Sequence, residues 1–266
     1  MSVVISASLV KELRDQTGAG MMDCKRALEE AGGDLDAAKR LLRERGMASA
    51  AKRAGRETTE GLVGYRISDT HGTMVAVGCE TEPVSKNEEF QAFAEKVLNV
   101  VDSDGTDAVD DLDGERQELV AKLGENIVVA GKARFERVDG GVVNAYAHPP
   151  ANKLGAIVQL RGGSEQLARN IAMHIASTTV QWISRDDVPG DVVSSEREIF
   201  ASSDEVQSKP EQAREKIVEG MLGKRFFAER VLLDSTWIHE TSKTVAQVVG
   251  DEGAEVLEFE RFDLRG

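Results

Sequence analysis

Cysteine is scarce in this 266-residue chain: only Cys24 and Cys79 occur. Two thiols make no disulfide scaffold, and the simple reading is a reduced, cytoplasmic protein. Long apolar runs are missing as well, none approaching the roughly 18–20 residues that cross a bilayer. The opening stretch, MSVVISASLVKELR, has neither the basic start nor the apolar core of a signal peptide. Basic charge is in deficit. The formal net charge of −14 disfavours unspecific binding of nucleic acid by the whole surface. Common catalytic signatures are absent: no GxxxxGK(S/T), GxGxxG, HExxH or CxxC occurs. The histidines at 71, 148, 174 and 239 lie far apart in sequence. His174, inside NIAMHIA, reads as a packed and hydrogen-bonded side chain. Neither cysteine has an obvious activating base nearby, so both read as buried thiols. Catalysis on a small molecule is not expected.

What remains is a globular composition, 41% apolar and 30% charged, long enough for one large domain or two to three small ones. The first 56 residues hold 11 Lys/Arg against 8 Asp/Glu, which leaves −17 on the rest and suggests distinct modules. Three short helices are predicted in the first 46 residues. Ser6 caps the first, which carries Leu9, Val10 and Leu13; the second runs from about Met22 to Ala31. Asp34 caps the third, and Gly46 is read as its stop. Their core is small and marginal. Residues 50–61, AAKRAGRETTEG, read as a helical or flexible linker.

From Gly61 the periodicity changes to strands, GLVGYRI and TMVAVGC. A helix follows with Phe90, Phe93, Ala94, Val97, Leu98 and Val101 on one face. Ser85 and Glu88 stand in the spacing of a capping box at its start. Residues 102–115 contain seven Asp/Glu and no Lys/Arg, and read as a solvated loop. Then come a short helix, ELVAKLGEN, and a strand in which Ile127, Val129, Ala133 and Phe135 alternate. GVVNAYAH and LGAIVQL repeat the strand pair, and SEQLARNIAMHIAS repeats the helix. Residues 61–101 and 141–178 are therefore read as two copies of one ββα unit. Helical stretches at about 191–203 and 211–229, joined around Pro210, read as an antiparallel hairpin. A short helix near 243–249 and the strand EVLEFERFDL complete an α+β protein.

One segment, GCETEPVSKNEE at 78–89, serves either as punctuation between a strand and a helix or as a tip that touches a partner. A resemblance bears on that choice. The run LVKELRDQTGAGMMDCKRALEEAGGDLDAAKRLLRERG closely resembles the N-terminal module of bacterial elongation factor Ts. Similarity continues through GCETEPVSKNEEFQAFAEKV, KLGEN, NIAMHIA, KIVEGML and KTVAQ, over nearly the whole chain. That family promotes nucleotide exchange on the translational GTPase elongation factor Tu, without a cofactor, a metal of its own or covalent chemistry. No direct contact with nucleic acid or membrane is implied.

The resemblance implies a three-helix, ubiquitin-associated-like module at 1–52, a linker at 53–60 and two core subdomains at 61–140 and 141–266. The second core subdomain includes the hairpin at about 191–229. In the family the N-terminal module docks on the GTPase's nucleotide-binding domain, and the positions carried over are Val10, Met21 and Met22. The methionines either fill the small core or face the partner. A second contact, a Thr-Asp-Phe-Val motif followed by Ala, a basic residue and Asn, disturbs the partner's magnesium and phosphate site. Here it reads Thr81, Glu82, Pro83 and Val84, then Ser85, Lys86 and Asn87. Glutamate replaces aspartate with a longer arm, and proline replaces the aromatic. Phe90 and Phe93 could stand in for that aromatic, but both belong to the apolar stripe of their helix. Met221, where the family commonly shows arginine, the bulky GKRFF and the continuation LLDSTW are further departures. A divergent, non-exchanging interaction protein of the same fold is the alternative.

Overall fold

The computed structural model describes residues 5–265, so residues 1–4 of the opening stretch lie outside the described residues. Ser6 accepts the Leu9 amide and starts α1 (Ala7–Thr17), which Gly18 closes in the left-handed region at φ 65. Helices α2 (Met21–Glu30) and α3 (Leu35–Arg53) follow, and the Asp34 carboxylate caps α3 at the Ala37 amide, 2.9 Å away. Val10, Leu13, Cys24, Ala27, Leu28 and Ala38 form the small core between them. Gly46 does not stop the third helix, which runs through it to Arg53. A Cβ at Gly46 would lie 2.9 Å from Ala121 on a later helix, so the glycine serves close helix contact. The extra turns carry Ala50 into the core of the next unit.

The body contains two three-stranded antiparallel sheets of the same design. In the first, β1 (Glu60–Ile67) pairs with β2 (His71–Cys79), and β2 pairs with β3 (Ile127–Glu136). In the second, β4 (Gly141–Ala147), β5 (Leu154–Arg161) and β6 (Glu255–Asp263) repeat that order. The short helix α4 (Glu82–Ser85) and α5 (Glu88–Asp104) follow β2, and α7 (Glu165–Ser177) follows β5. Between α5 and β3 lie a 3₁₀ turn, Thr106–Leu112, and α6 (Asp113–Leu123). The acidic run is thus helical rather than an open loop. Val109 and Leu112, three apart, eclipse on the inner side of the 3₁₀ turn and are buried, while Asp107, Asp110 and Asp111 stay in water.

The sheets stack face to face. Val63, Met74, Ala76, Ala133 and Phe135 from the first meet Val143, Ala145 and Ile157 from the second. On the outer faces, Val75, Val77, Cys79 and Ile127 receive the Phe90–Val101 stripe of α5, and Ala156, Val158 and Leu160 receive α7. Both central strands are buried on both faces, which is why MVAVGC and LGAIVQL read as near-continuous apolar runs. Each sheet has an extra residue on its third strand, opposite Ala76/Val77 in one and Gln159/Leu160 in the other. A single-residue bulge reverses side-chain parity. Ile127 and Val129 therefore face α5, while Ala133 and Phe135, in step with them by sequence, face the other sheet.

The hairpin comprises α8 (Gly190–Ser202), α9 (Asp204–Gln207), α10 (Glu211–Met221), a π-helical stretch Leu222–Phe227 and α11 (Ala228–Arg230). It has its own core of Val206, Val218, Met221, Leu222 and Phe226, and Arg197 pairs with Glu219 across it at 2.8 Å. Met221 therefore packs inside the hairpin. Helix α12 (Val245–Asp251), capped by Thr244, precedes β6.

Candidate partner-binding site

The two units connect strand to helix in different ways. After β5, three residues, Gly162–Ser164, suffice to reach α7. After β2, eight residues, Glu80–Asn87, precede α5. Punctuation alone needs only the shorter connection, so 80–87 holds chain beyond what the fold requires. Thr81, Glu82 and Pro83 are exposed, and Val84 is half-buried against the α5 core. Pro83 occupies the first turn of α4, where a missing N–H removes no helix bond. The start of α5 differs from the capping box read in the sequence. Asn87, not Ser85, is the N-cap, accepting the Glu89 amide at 2.9 Å. Ser85 ends α4 and its hydroxyl donates back to the Glu82 carbonyl, so it cannot reach the α5 amides.

The base of this tip is held from a distance. One Glu125 oxygen accepts the amides of Glu80 and Thr81 at 3.1 and 3.0 Å, and the other accepts the Thr81 hydroxyl. The Glu80 carboxylate accepts the Asn126 amide at 2.6 Å and lies 3.3 Å from Arg56, while Asn126 Nδ2 donates to the Arg56 carbonyl at 2.8 Å. Glu82 pairs with Lys86 at 2.7 Å, one helical turn on. That hydrogen bond and the lysine's charge lower the Glu82 pKa. An exposed i,i+4 pair is weak and screened by water, so the carboxylate is easily released to another cation.

On the helical bundle, Met21 and Met22 are 54% and 63% exposed, which decides the question about them in favour of the surface. Val10 is placed differently from the two methionines. It is 6% exposed and packs inward with Leu13 and Leu28, so it supports the bundle from within. Phe90 and Phe93 are buried under the first sheet and put no ring at the tip.

Elsewhere the chemistry is structural. His174 is fully buried; its Nδ1 accepts the Ile238 amide and its Nε2 lies 2.8 Å from the Ser235 hydroxyl, with Trp237 stacked on the ring. Ser68, His71 and Asp102 line up, with Nδ1 3.2 Å from Ser68 Oγ and Nε2 3.0 Å from Asp102. The Ser68 hydroxyl, however, donates to the His71 carbonyl and accepts the Thr70 amide, closing the β1–β2 turn. Burial pushes the Cys79 thiol up to about 12, and its S–H is directed at the Thr81 carbonyl. Among the described residues no group of His, Cys, Asp or Glu is arranged to hold a metal ion, and no helix is long and apolar enough to cross a membrane.

Comparison with known proteins gives this arrangement its context. The Elongation factor TS family matches residues 80–265. The chain is similar to Elongation factor Ts of Halorhodospira halophila, 42% identical over 273 residues, covering 98% of this chain and 92% of that protein. It is similar to the same factor of Thioalkalivibrio sulfidiphilus at 40% identity, with 98% and 92% covered, and of Aeromonas hydrophila at 40%, with 98% and 90% covered. The chain belongs to the elongation factor Ts family.

Its α+β fold is the one expected of an elongation factor Ts. Thr81, Glu82, Pro83 and Val84 lie together on the tip, and Met21 and Met22 together at the start of α2. Glu125 and Asn126 fall in KLGEN, a stretch the family resemblance includes but to which it assigns no role. The signal that finds them is the repeat: Glu252, just before β6, holds Ser164 before α7 as Glu125 holds Thr81.

Proposed function

We propose that this member of the elongation factor Ts family is a guanine-nucleotide exchange factor that binds elongation factor Tu and promotes release of GDP. The observation that carries this is family membership over 98% of the chain. Exchange of this kind is binding rather than covalent catalysis. Factor and nucleotide weaken each other's hold on the GTPase by one shared factor. The factor therefore needs contacts that favour a state holding magnesium and phosphate badly. Exposed Met21 and Met22 offer adaptable apolar contacts for one grip. The 81–84 tip offers the other, with Glu82 supplying a releasable negative charge and Pro83 a rigid turn. The division into a module at 1–52, a linker at 53–60 and core parts at 61–140 and 141–266 belongs to the same reading. Separate apolar clusters in the bundle and on the helix side of each sheet support it. A cytoplasmic site of action goes with the partner, and no direct contact with nucleic acid or membrane is required. Release of labelled GDP from the cognate elongation factor Tu tests the reading. Acceleration is expected, and none at saturating factor overturns it.

Pro83 supports a second reading, a non-exchanging interaction protein. An aromatic anchor at an interface is worth ~2–4 kcal/mol, and neither Phe90 nor Phe93 is free to replace it. Under this reading the complex forms with little change in release, and Pro83→Phe raises the rate about tenfold or more. An unchanged rate counts against it.

A further inference from the structure

We propose that Glu125 is the positioning residue of the tip for exchange, with Glu80 and Asn126 locking it to the chain that arrives from the helical bundle. The inference rests on the exchange reading above.

Thr81 is the first observation. At a helix N-cap, a threonine hydroxyl normally accepts an amide from the first turn. Thr81 has the extended backbone of an N-cap but makes no capping bond; its hydroxyl donates to Glu125 instead. Local helix capping has been given up for a tertiary bond that sets where the tip points. Glu125 also takes the amides of Glu80 and Thr81, so one carboxylate gathers three donors at the root of the projecting segment. The partner residues lie 44 to 45 positions away, which makes this a brace between elements and not a turn.

The second unit supplies the control. Glu252 accepts the Ser164 amide at 3.2 Å and its hydroxyl at 2.8 Å. There Ser164 still caps its helix through the Leu167 amide, and nothing projects. The residue after Glu252 is Gly253, where Asn126 follows Glu125. The equivalent of Glu80 falls in Gly162–Gly163. Among the described residues, the additional lock of Glu80, Asn126 and the Arg56 carbonyl therefore occurs only in the unit that carries the tip. Asn126 is 2% exposed, so the lock is built into the core margin. Through Arg56 it also ties the root of the tip to the segment just after α3, linking the two surfaces of the proposed grip.

The test uses the full chain with elongation factor Tu loaded with fluorescent GDP. It reads the maximal release rate and the half-saturating concentration separately. Glu125→Ala should lower the maximum about tenfold, as the competent tip geometry becomes a minor population, and move half-saturation less than about threefold. Glu125→Gln should restore most of the rate, since its amide oxygen still accepts both backbone N–H groups and the Thr81 hydroxyl can rotate to accept. Glu252→Ala loses comparable bonds and should leave both parameters unchanged. Hydrogen exchange of the Glu80 and Thr81 amides, read in the free chain, should quicken about tenfold or more in Glu125→Ala alone. A wild-type maximum in Glu125→Ala overturns the proposal, as does an equal fall in Glu252→Ala or unchanged amide exchange. Absence of acceleration by the wild-type chain instead overturns the exchange reading on which the role in exchange rests.

Discussion

The first and second ββα units are built to one plan and finished differently. Gly72 on β2 leaves room for Val143 of the opposite sheet, where a Cβ would meet it at 2.4 Å. Gly155, the same position on β5, leaves room for Val63, at 2.8 Å. Val63 and Val143 themselves occupy equivalent places on β1 and β4. The contact is therefore reciprocal, as in an isologous interface, although it lies within one chain. The bulges match as well, and so do Glu125 and Glu252. Against that shared frame the differences stand out: a five-residue longer connection in the first unit, and a buried histidine under the helix of the second. Symmetry identifies the shared scaffold, and its breaking identifies where the two units differ.

Replacing residues 80–87 by the Gly-Gly-Ser of the second unit tests the comparison most severely. The fold should persist, since the second unit closes this way, while exchange falls about tenfold or more with the loss of the tip's contacts. Circular dichroism and GDP release measured together check both halves. Loss of folding would show that the longer connection is structural after all.

His174 comes next. It is the tenth residue after its N-cap, as Val97 is in the first unit, and both are fully buried. Burial, aided by the charge of His239, lowers its pKa from 6.5 to about 4. The unfolded chain thus binds this proton more readily than the folded one. Stability is fully present above pH 6.5, falls as pH drops through the window from 6.5 to about 4, and levels off below it, by roughly 3 kcal/mol in all. Denaturant unfolding at several pH values should show this slope, and His174→Val should flatten it. A variant that keeps the wild-type slope would place the pH dependence elsewhere.

The glycine pair is expected to cost somewhat less. Gly72→Val and Gly155→Val each overpack the sheet interface and should destabilise by about 1–3 kcal/mol, by similar amounts. A large difference in unfolding midpoints between the two would break the equivalence. The smallest effect is expected at the bundle surface. Met21→Ala with Met22→Ala should leave stability within about 0.5 kcal/mol and raise the half-saturating concentration in exchange several-fold. A drop in melting temperature instead would mean the side chains serve the fold.

Much of this was legible in the sequence. All six apolar positions from Phe90 to Val101 are buried as their helical spacing predicts, and both central strands were visible as apolar runs. The exposed Met21 and Met22 were not separable from buried Val10 by pattern, because one face of a short helix accommodates either use. Gly46 looked like a stop because the helix it touches lies some 75 residues on in the chain. The acidic run concealed Val109 and Leu112, since two apolar residues among aspartates give too little periodicity to register.

By itself the sequence determined the order of elements, the apolar faces of the helices, the repeat and the family. Those are written in local spacing and in long runs of residue identity. Tertiary structure alone decided which residue caps α5, on which face of β3 each side chain falls, and what holds the tip. Asn87 displaced Ser85 because α4 had already taken the serine's hydroxyl. The bulge reversed the parity of β3 through a register that exists only once β2 is alongside. Glu125 became the anchor of residues 80–81 because two loops distant in sequence meet at one end of a sheet. Each of these depends on groups brought together across a closed loop, and no local pattern records that meeting.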